Sequence, residues 1–254
     1  MRSVAWRAAS LAVAIAALLA WREIAALKLV SPVFLPSPER AFSALWHGLT
    51  VSDLGVKLGG TIEHMIAGWL IASVVGVALG ALIGSHAGVR SFVAPTLEFL
   101  RPLPASAIIP VAIAIFGLSN TMALGVIGFG AVWPMLLATM HGFAAVEPRL
   151  KEVARVLGLG GWRTAIKISL PSAAPDILAG LRLGLTVALI LAVVCEMIAG
   201  LDGLGQWVLL AARAYRSPDL FAGVILLGAI GLVANALLSL AEGRALRWRM
   251  ANNR

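Results

Sequence analysis

The chain of 254 residues is 60% hydrophobic and only 13% charged, and it carries a formal net charge of +8. Several apolar runs approach the roughly 20 residues that a helix needs to cross a bilayer. This composition excludes a soluble globular protein and predicts an all-α bundle of about six transmembrane helices. Because membrane proteins collect Lys and Arg in their cytoplasmic loops, the positive charge does not indicate a nucleic-acid partner. One cysteine, Cys195, and four scattered histidines predict neither a disulfide nor a metal site.

The N-terminal part of the chain, residues 1–34, is predicted to form the first span over about Ala8 to Leu29. Its charged and apolar regions also resemble a secretory signal peptide. That alternative stays open, although we predict an uncleaved helix because further spans follow. Prolines interrupt the start of a polar outer segment at 35–60, since proline cannot continue a helix. A short surface helix is predicted within this segment, at about Ala41 to Leu49.

The transmembrane core is predicted over residues 61–243. Its third apolar region contains four prolines and therefore predicts a kinked or broken helix. In its second span small residues recur at every fourth position, and such a ridge lets helix backbones approach closely in lipid. The ridge consists of Gly68, Ala72, Gly76, Gly80 and Gly84. The five spans of the core are predicted at about Ile62 to Ile83, 91–120, Thr121 to Met140, Asp176 to Ala199 and Leu220 to Ala241.

The basic residues predict the orientation of the spans. With both termini in the cytoplasm, 12 Lys and Arg residues lie inside and 6 lie outside, in agreement with the positive-inside rule. The basic tail at 244–254 and the loop at 144–175 then lie in the cytoplasm. The residues assigned to the inside are Arg2, Arg7, Arg90, Arg149, Lys151, Arg155, Arg163, Lys167, Arg244, Arg247, Arg249 and Arg254.

That cytoplasmic loop has the pattern of two short amphipathic helices. After Pro148, which suits a first helical turn, apolar residues follow at spacings of three, four and seven. Gly158 is placed to end the first helix in the left-handed conformation. The second helix is predicted to begin near Trp162 and to stop at Pro171. Periodicity leaves two alternatives for this surface: a helix pair lying on anionic lipid, or a docking site for a partner.

A resemblance to a known family favours the docking site. The run Glu-Val-Ala at 152–154, a glycine at 158 and the run Ile-Ser-Leu-Pro at 168–171 resemble the EAA signature of ABC importer permeases. Val153 stands where that family usually has alanine. Stretches at 35–38, 102–120 and 195–208 further resemble the branch that imports aliphatic sulfonates, taurine and nitrate-type anions. The resemblance implies that the residues coupling this chain to a separate ATPase are Glu152, Val153, Ala154, Gly158, Ile168, Leu170 and Pro171.

The resemblance also implies the assembly around the chain. It predicts a homodimer of permease subunits in a bacterial inner membrane, with two ATP-binding ATPase subunits below and a solute-binding protein outside. The chain lacks the Gly-x-x-x-x-Gly-Lys-Ser/Thr phosphate loop. No cofactor is therefore expected on this chain, and ATP and Mg²⁺ are expected on the partner ATPase. The chain itself is predicted to catalyse no reaction.

Three residues are candidates for a translocation pathway: Arg101, Trp133 and Glu196. Ionisable groups at membrane depth are costly and usually functional, so Glu196 is expected to line the pathway, to pair with Arg101 or Arg182, or to accept hydrogen bonds from the outer loop. Arg101 is expected either to bind an oxyanion or to anchor a helix kink at the membrane interface. Trp133 is expected either to pack against other helices or to line the pathway. Two other functional classes remain: a secondary transporter with Glu196 as proton carrier, and a scaffold that recruits a soluble enzyme.

Overall fold

The computed structural model describes residues 2–247, and the side chains of residues 12–247. Every regular element in this part of the chain is helical, which confirms the predicted all-α class. A short 3-10 turn at Ala105–Ile108 and a π-helical turn at Ala165–Ser169 accompany the α-helices. The α-helices are α1 (Arg2–Ala26), α2 (Pro38–Thr50), α3 (Leu54–Ser85), α4 (Ala87–Leu100), α5 (Ile109–Phe116), α6 (Asn120–Ala144), α7 (Pro148–Val156), α8 (Gly161–Thr164), α9 (Leu170–Ala199), α10 (Leu204–Arg213) and α11 (Ser217–Ala245).

The described residues contain four helical segments that are long and apolar enough to cross a membrane. They are Leu54–Ser85, Asn120–Ala144, Gly161–Ala199 and Ser217–Ala245. The pair α4 and α5, bent by 76°, gives a fifth if it counts as one broken span, which fits the interruption that the prolines predict. The predicted first span falls partly on side chains outside the described range. The count of six spans and the orientation therefore stay predictions, as do the assignments of Arg2, Arg7, Arg249 and Arg254, whose side chains lie outside the described residues.

The helices fall into two compact units. One unit runs up to residue 60 and includes 202–228. In it the indole of Trp21 donates to the Pro36 carbonyl at 2.9 Å and stacks on Phe221 with 5.4 Å between ring centroids. The predicted surface helix is present as α2 and begins at Pro38, since proline fits a first helical turn. These contacts fix the proline-rich outer segment against the end of α1.

The other unit comprises 61–201 and the chain after 229, and the small-residue ridge of α3 lies in it. A Cβ added at Gly68 would lie 2.3 Å from Ile127 Cγ2, and one at Gly80 would lie 2.6 Å from the Leu136 carbonyl oxygen. At Gly84 the same Cβ would lie 2.6 Å from the Met140 carbonyl oxygen. The backbones of α3 and α6 therefore meet along the ridge, as its spacing predicts.

Helix α6 is the central element of this unit, because α9 packs on it as well. A Cβ at Gly180 would lie 2.9 Å from the Pro134 carbonyl oxygen, and one at Gly184 would lie 3.1 Å from that of Ala131. The side chains between these approaches are fully buried, among them Met135 and Ala188. The core of the unit is thus a three-helix layer in which small residues bring α3 and α9 against α6.

Candidate functional site

The helix α7 begins and ends where the sequence predicts. Pro148 occupies its first turn, and Gly158 follows its end with φ of +64°. The Leu159 N–H donates to the Ala154 carbonyl at 2.9 Å, and the Gly158 N–H donates to that of Arg155 at 3.1 Å. This pair of bonds is the Schellman motif, in which a left-handed residue satisfies the last carbonyls of a helix. The predicted role of Gly158 as the helix-ending residue is confirmed.

Replacing Gly158 by valine is expected to disorder the turn after α7. A Cβ at this position meets no atom within 4 Å, so the cost is conformational and amounts to about 1–2 kcal/mol for a side chain in the left-handed region. Gly160→Val is the matched control, since Gly160 has φ of −64° and also faces open space. Limited proteolysis should cleave the Gly158 variant faster between α7 and α8. Equal cleavage of both variants would contradict the assigned role.

The second helix of the loop does not stop at Pro171, so that prediction is wrong. α8 continues through the π-helical turn directly into α9, giving one helical segment over Gly161–Ala199. The Leu170 N–H bonds the Ala165 carbonyl, five residues back, and this wider turn leaves room for the proline ring beside the preceding turn. Pro171 thus lies near the start of α9, and the fifth span begins before the predicted Asp176.

The loop leaves most of its apolar side chains exposed. In α7 only Ala154 is buried, whereas Val153 is 52% exposed and Val156 is 87% exposed. After α7, Leu157 is 68% exposed and Trp162 is 78% exposed. We call these four exposed residues, Val153, Val156, Leu157 and Trp162, the apolar loop surface. Apolar side chains that a chain leaves uncovered in a polar segment mark an interaction site.

The other residues of the signature lie on both sides of this surface. Glu152 and Gly158 are exposed, and Ile168 is half-buried in the π-helical turn. Leu170 and Pro171 are exposed at the start of α9, while α7 packs against the π-helical turn. The basic side chains outnumber the acidic ones, and none of them forms an ion pair within residues 12–247. The charged residues of the loop are Glu147, Arg149, Lys151, Glu152, Arg155, Arg163 and Lys167.

A second polar site lies inside the membrane-spanning part, around Glu196. Its carboxylate is fully buried and accepts a hydrogen bond from the Thr61 hydroxyl at 2.9 Å. His64 Nδ1 lies 3.0 Å from the same carboxylate, and His64 Nε2 lies 3.4 Å from Asn120 Oδ1. We call these four residues, Thr61, His64, Asn120 and Glu196, the buried polar cluster. It joins α3, α6 and α9 near the end of the unit where α9 terminates.

Sequence reasoning found Glu196 but missed its partners. Pairing with Arg182 was wrong, because the Arg182 guanidinium bonds Glu242 of α11. His64 is one of the four scattered histidines for which the sequence predicts no site. The signal that could have found it is the spacing between Thr61 and His64, which places two polar side chains on one face of α3.

The two remaining pathway candidates lie in different surroundings. Arg101 is exposed at the bend after α4 and forms no ion pair within residues 12–247, so its predicted pairing with Glu196 is also wrong. Trp133 packs edge-on against Phe129, with 5.7 Å between ring centroids, and against a cluster that includes Leu136. Its indole nitrogen is buried without a hydrogen-bond partner. These contacts favour the packing interpretation of Trp133.

Among the described residues no cluster of His, Cys, Asp or Glu could hold a metal ion.

Comparison with known proteins agrees with the helical architecture and the loop signature. Residues 72–245 match the family described as binding-protein-dependent transport system inner membrane component. The chain is 34% identical over 232 residues to a protein of Methanocaldococcus jannaschii named for an ABC transporter permease, covering 89% of this chain and 87% of that one. It is 30% identical over 229 residues to a protein of Bacillus subtilis named for aliphatic sulfonates transport, covering 90% and 83%.

A nitrate import permease protein of Synechocystis sp. is 30% identical over 217 residues, covering 82% of this chain and 79% of that one. The Bacillus and Synechocystis relatives are permeases of the branch that the sequence resembles. The chain therefore belongs to the binding-protein-dependent transport system inner membrane component family, within the branch of sulfonate, taurine and nitrate-type permeases.

Proposed function

We propose that this chain is the transmembrane permease subunit of an ATP-driven importer and that it moves a small anion delivered by a solute-binding protein. The observation that carries this proposal is the apolar loop surface. A surface helix that binds lipid would bury its apolar stripe and hold its basic residues at the headgroups. Here the exposed apolar side chains lie on α7, on the left-handed turn that follows it and on the short helix α8. An apolar surface carried by two short helices and a turn fits the cleft of another protein.

In this proposal, the energy of ATP hydrolysis is transmitted to the transmembrane helices through this loop. The residues that receive it are Glu152, Val153, Ala154, Gly158, Ile168, Leu170 and Pro171, and the ATPase partner holds ATP and Mg²⁺. Two such ATPases act on a homodimer in the bacterial inner membrane. Family membership supports this reading over a secondary transporter or a scaffold, because the family is that of binding-protein-dependent transport systems. Sulfonate, taurine and nitrate are the solutes that the relatives' names suggest.

The experiment is native mass spectrometry on the full chain, gently extracted from its own membrane. Wild type is expected to retain two ATPase subunits for two copies of the chain. Val156→Asp places a charge in the apolar loop surface and should weaken ATPase retention about 30-fold, as expected when a contact worth about 2 kcal/mol is lost. Trp162→Ala should act in the same direction.

The control is Val51→Asp, a substitution of the same type at a residue 72% exposed outside the loop. It should leave ATPase retention unchanged. A chain that emerges without any ATPase, or equal retention in all variants, would refute coupling through this loop. Uptake that persists after the proton gradient is collapsed, as long as ATP remains, would separate the importer from proton-driven transport through Glu196.

A further inference from the structure

The buried polar cluster contains a histidine whose two ring nitrogens both face oxygen atoms. His64 Nδ1 lies 3.0 Å from Glu196 Oε1, and His64 Nε2 lies 3.4 Å from Asn120 Oδ1. A neutral imidazole has one N–H, whereas the imidazolium has two. Only the imidazolium can therefore donate to both oxygens. In the neutral ring a bare nitrogen would face another acceptor, and no hydrogen bond would form on that side.

The carboxylate of Glu196 is a suitable partner for a positively charged ring. It has no exposed surface, and the His64 side chain is only 8% exposed. An ionised carboxylate only accepts hydrogen bonds, so its two oxygens can receive the Nδ1–H of His64 and the hydroxyl of Thr61, which lies 2.9 Å from Oε2. Buried charges occur in proteins when they are paired and hydrogen-bonded, and this pair meets both conditions.

The charged groups close to His64 are acidic. Glu196 contacts the ring, and the exposed Glu63 precedes it in the chain. Lys57 lies two turns earlier on α3, and its ammonium group bonds Asp202 Oδ1 at 2.5 Å. The remaining charged residues of α6 and α9 lie roughly 20 Å or more along their helices from the cluster. The titratable residues of α3, α6 and α9, apart from His64, are Lys57, Glu63, His141, Asp176, Arg182, Cys195 and Glu196.

Asn120 connects the histidine to the surrounding water. It is the first residue of α6 and is the exposed member of the cluster. Glu196 lies three residues before the end of α9 at Ala199, so the cluster is close to one end of this unit. A proton can therefore reach the Nε2 edge of the ring past Asn120, from the aqueous side on which α9 ends, without crossing the membrane.

We propose that His64 is a proton-binding site that responds to the pH of this aqueous side, and that the protonated ring ties the start of α6 to α3 and α9. When the ring loses a proton, the bond to the Glu196 carboxylate remains, because hydrogen bonds to ionised groups are the stronger ones. The bond to Asn120 is lost, and the start of α6 is released from α3 at this point.

This site is regulatory and does not drive transport, since the proton is bound and released on the same side of the membrane. It adds pH control to the proposed importer and rests on the proposed function only for its meaning in transport. The helix that it releases, α6, is the one against which small residues of both α3 and α9 pack. A change at the start of α6 therefore acts on the central element of the unit.

The test is solid-state NMR on the full chain, isotopically labelled in its histidine nitrogens, in phosphatidylcholine membranes without ATPase. The two nitrogens of an imidazolium have similar chemical shifts, whereas the bare nitrogen of a neutral ring resonates far from its partner. The signals that vanish in His64→Gln belong to His64. Wild type should show two protonated nitrogens at low pH and one bare nitrogen at high pH. Signals that stay constant between about pH 5 and about pH 9, a window that includes the range in which histidine changes charge, would overturn the site.

Two variants test the partners of the ring. Asn120→Leu removes the acceptor at Nε2 and should weaken proton binding by about three- to tenfold, the net worth of one hydrogen bond. Glu196→Gln removes the negative charge and should weaken it by about tenfold or more. Thr121→Leu, at the next exposed position of α6, is the matched control and should titrate as wild type does. Tighter proton binding in Asn120→Leu would show that the amide nitrogen faces the ring, and it would overturn the proposal, as would an unchanged titration in both variants.

Hydrogen exchange tests whether the proton ties α6. Below the pH of the His64 transition, backbone amides at 123–127 should exchange faster in Asn120→Leu than in wild type, because local opening is easier where a contact is lost. Above the transition the two proteins should exchange alike. Equal exchange at both pH values would contradict the link between the proton and α6. These measurements need no ATPase, whereas ATPase retention by the Val156 variant tests coupling, so the site and the proposed function can fail separately.

Discussion

Replacing Gly80 by leucine should markedly reduce the yield of folded chain extracted from the membrane and lower its thermal unfolding midpoint. A Cβ at this position would lie 2.6 Å from the Leu136 carbonyl oxygen and 3.1 Å from the Met140 backbone nitrogen. These are backbone atoms of a helix, which cannot move aside as a flexible side chain can. Overpacking a core costs typically 1–3 kcal/mol when side chains can yield. Here α3 and α6 must separate, so the loss should exceed about 3 kcal/mol of a total stability that is itself only about 5–15 kcal/mol.

The measurement is fluorescence-detected size-exclusion chromatography of the detergent-extracted chain, followed by the midpoint of thermal unfolding. Gly59→Leu is the matched control on the same helix, because a Cβ at Gly59 meets nothing within 4 Å. It should give a monodisperse peak as large as that of wild type. Gly80→Ala should fall between the two. If Gly80→Leu elutes and melts as wild type does, α3 and α6 do not pack along the ridge.

Replacing Glu196 by alanine should lower the free energy of unfolding by about 3 kcal/mol. Interhelical hydrogen bonds in membranes are worth only about 0.6 kcal/mol each on average, which makes their loss the smaller part. The larger part comes from leaving the His64 Nδ1 atom, which faces the carboxylate, buried with an unsatisfied polar group, at about 1–3 kcal/mol. Unfolding in mixed micelles of increasing sodium dodecyl sulfate concentration measures the difference.

Three further variants test whether the loss of stability comes from the buried polar cluster rather than from any substitution in these helices. Glu196→Gln keeps an acceptor and should lose less than half as much stability. The double variant Glu196→Leu with His64→Leu should recover most of the loss, because replacing both partners of a buried pair by apolar residues is often neutral. Glu63→Ala, at an exposed carboxylate next to the cluster, should change stability by no more than about 0.5 kcal/mol. Additive losses in the double variant would show that Glu196 and His64 do not interact.

The features that could be predicted from the sequence are those that depend on the spacing of residues within a single helix. The ridge of α3 recurs at every fourth position, which by itself places small residues on one face. Gly158 follows an amphipathic run at the position of a helix-ending residue. The four prolines of the third region predict an interruption, and the structure has a bend of 76° there. Each of these follows from the geometry of a single helix.

The features that sequence reasoning missed depend on what other elements bring close. The partners of Glu196 lie on α3 and α6, more than 70 residues away along the chain for Asn120, so only the packing of three helices identifies them. The sequence offered Arg182 as a partner for Glu196, and the position of α11 decides in favour of Glu242. The predicted helix end at Pro171 was wrong because the periodicity of apolar residues does not reveal a π-helical turn. The widened turn removes the steric conflict on which that prediction relied.

The continuous helix from Gly161 to Ala199 has a mechanical consequence. It contains 39 residues and measures roughly 58 Å at about 1.5 Å per residue. An axial push at Trp162 would therefore pass toward Glu196 along one continuous helical segment, through the π-helical turn at Ala165–Ser169. The π-helical turn contains one more residue than an α-helical turn. Converting it to an α-helical turn would shift one end of the helix relative to the other by about 1.5 Å along the axis and rotate it by about 100°, the rise and rotation of one helical residue.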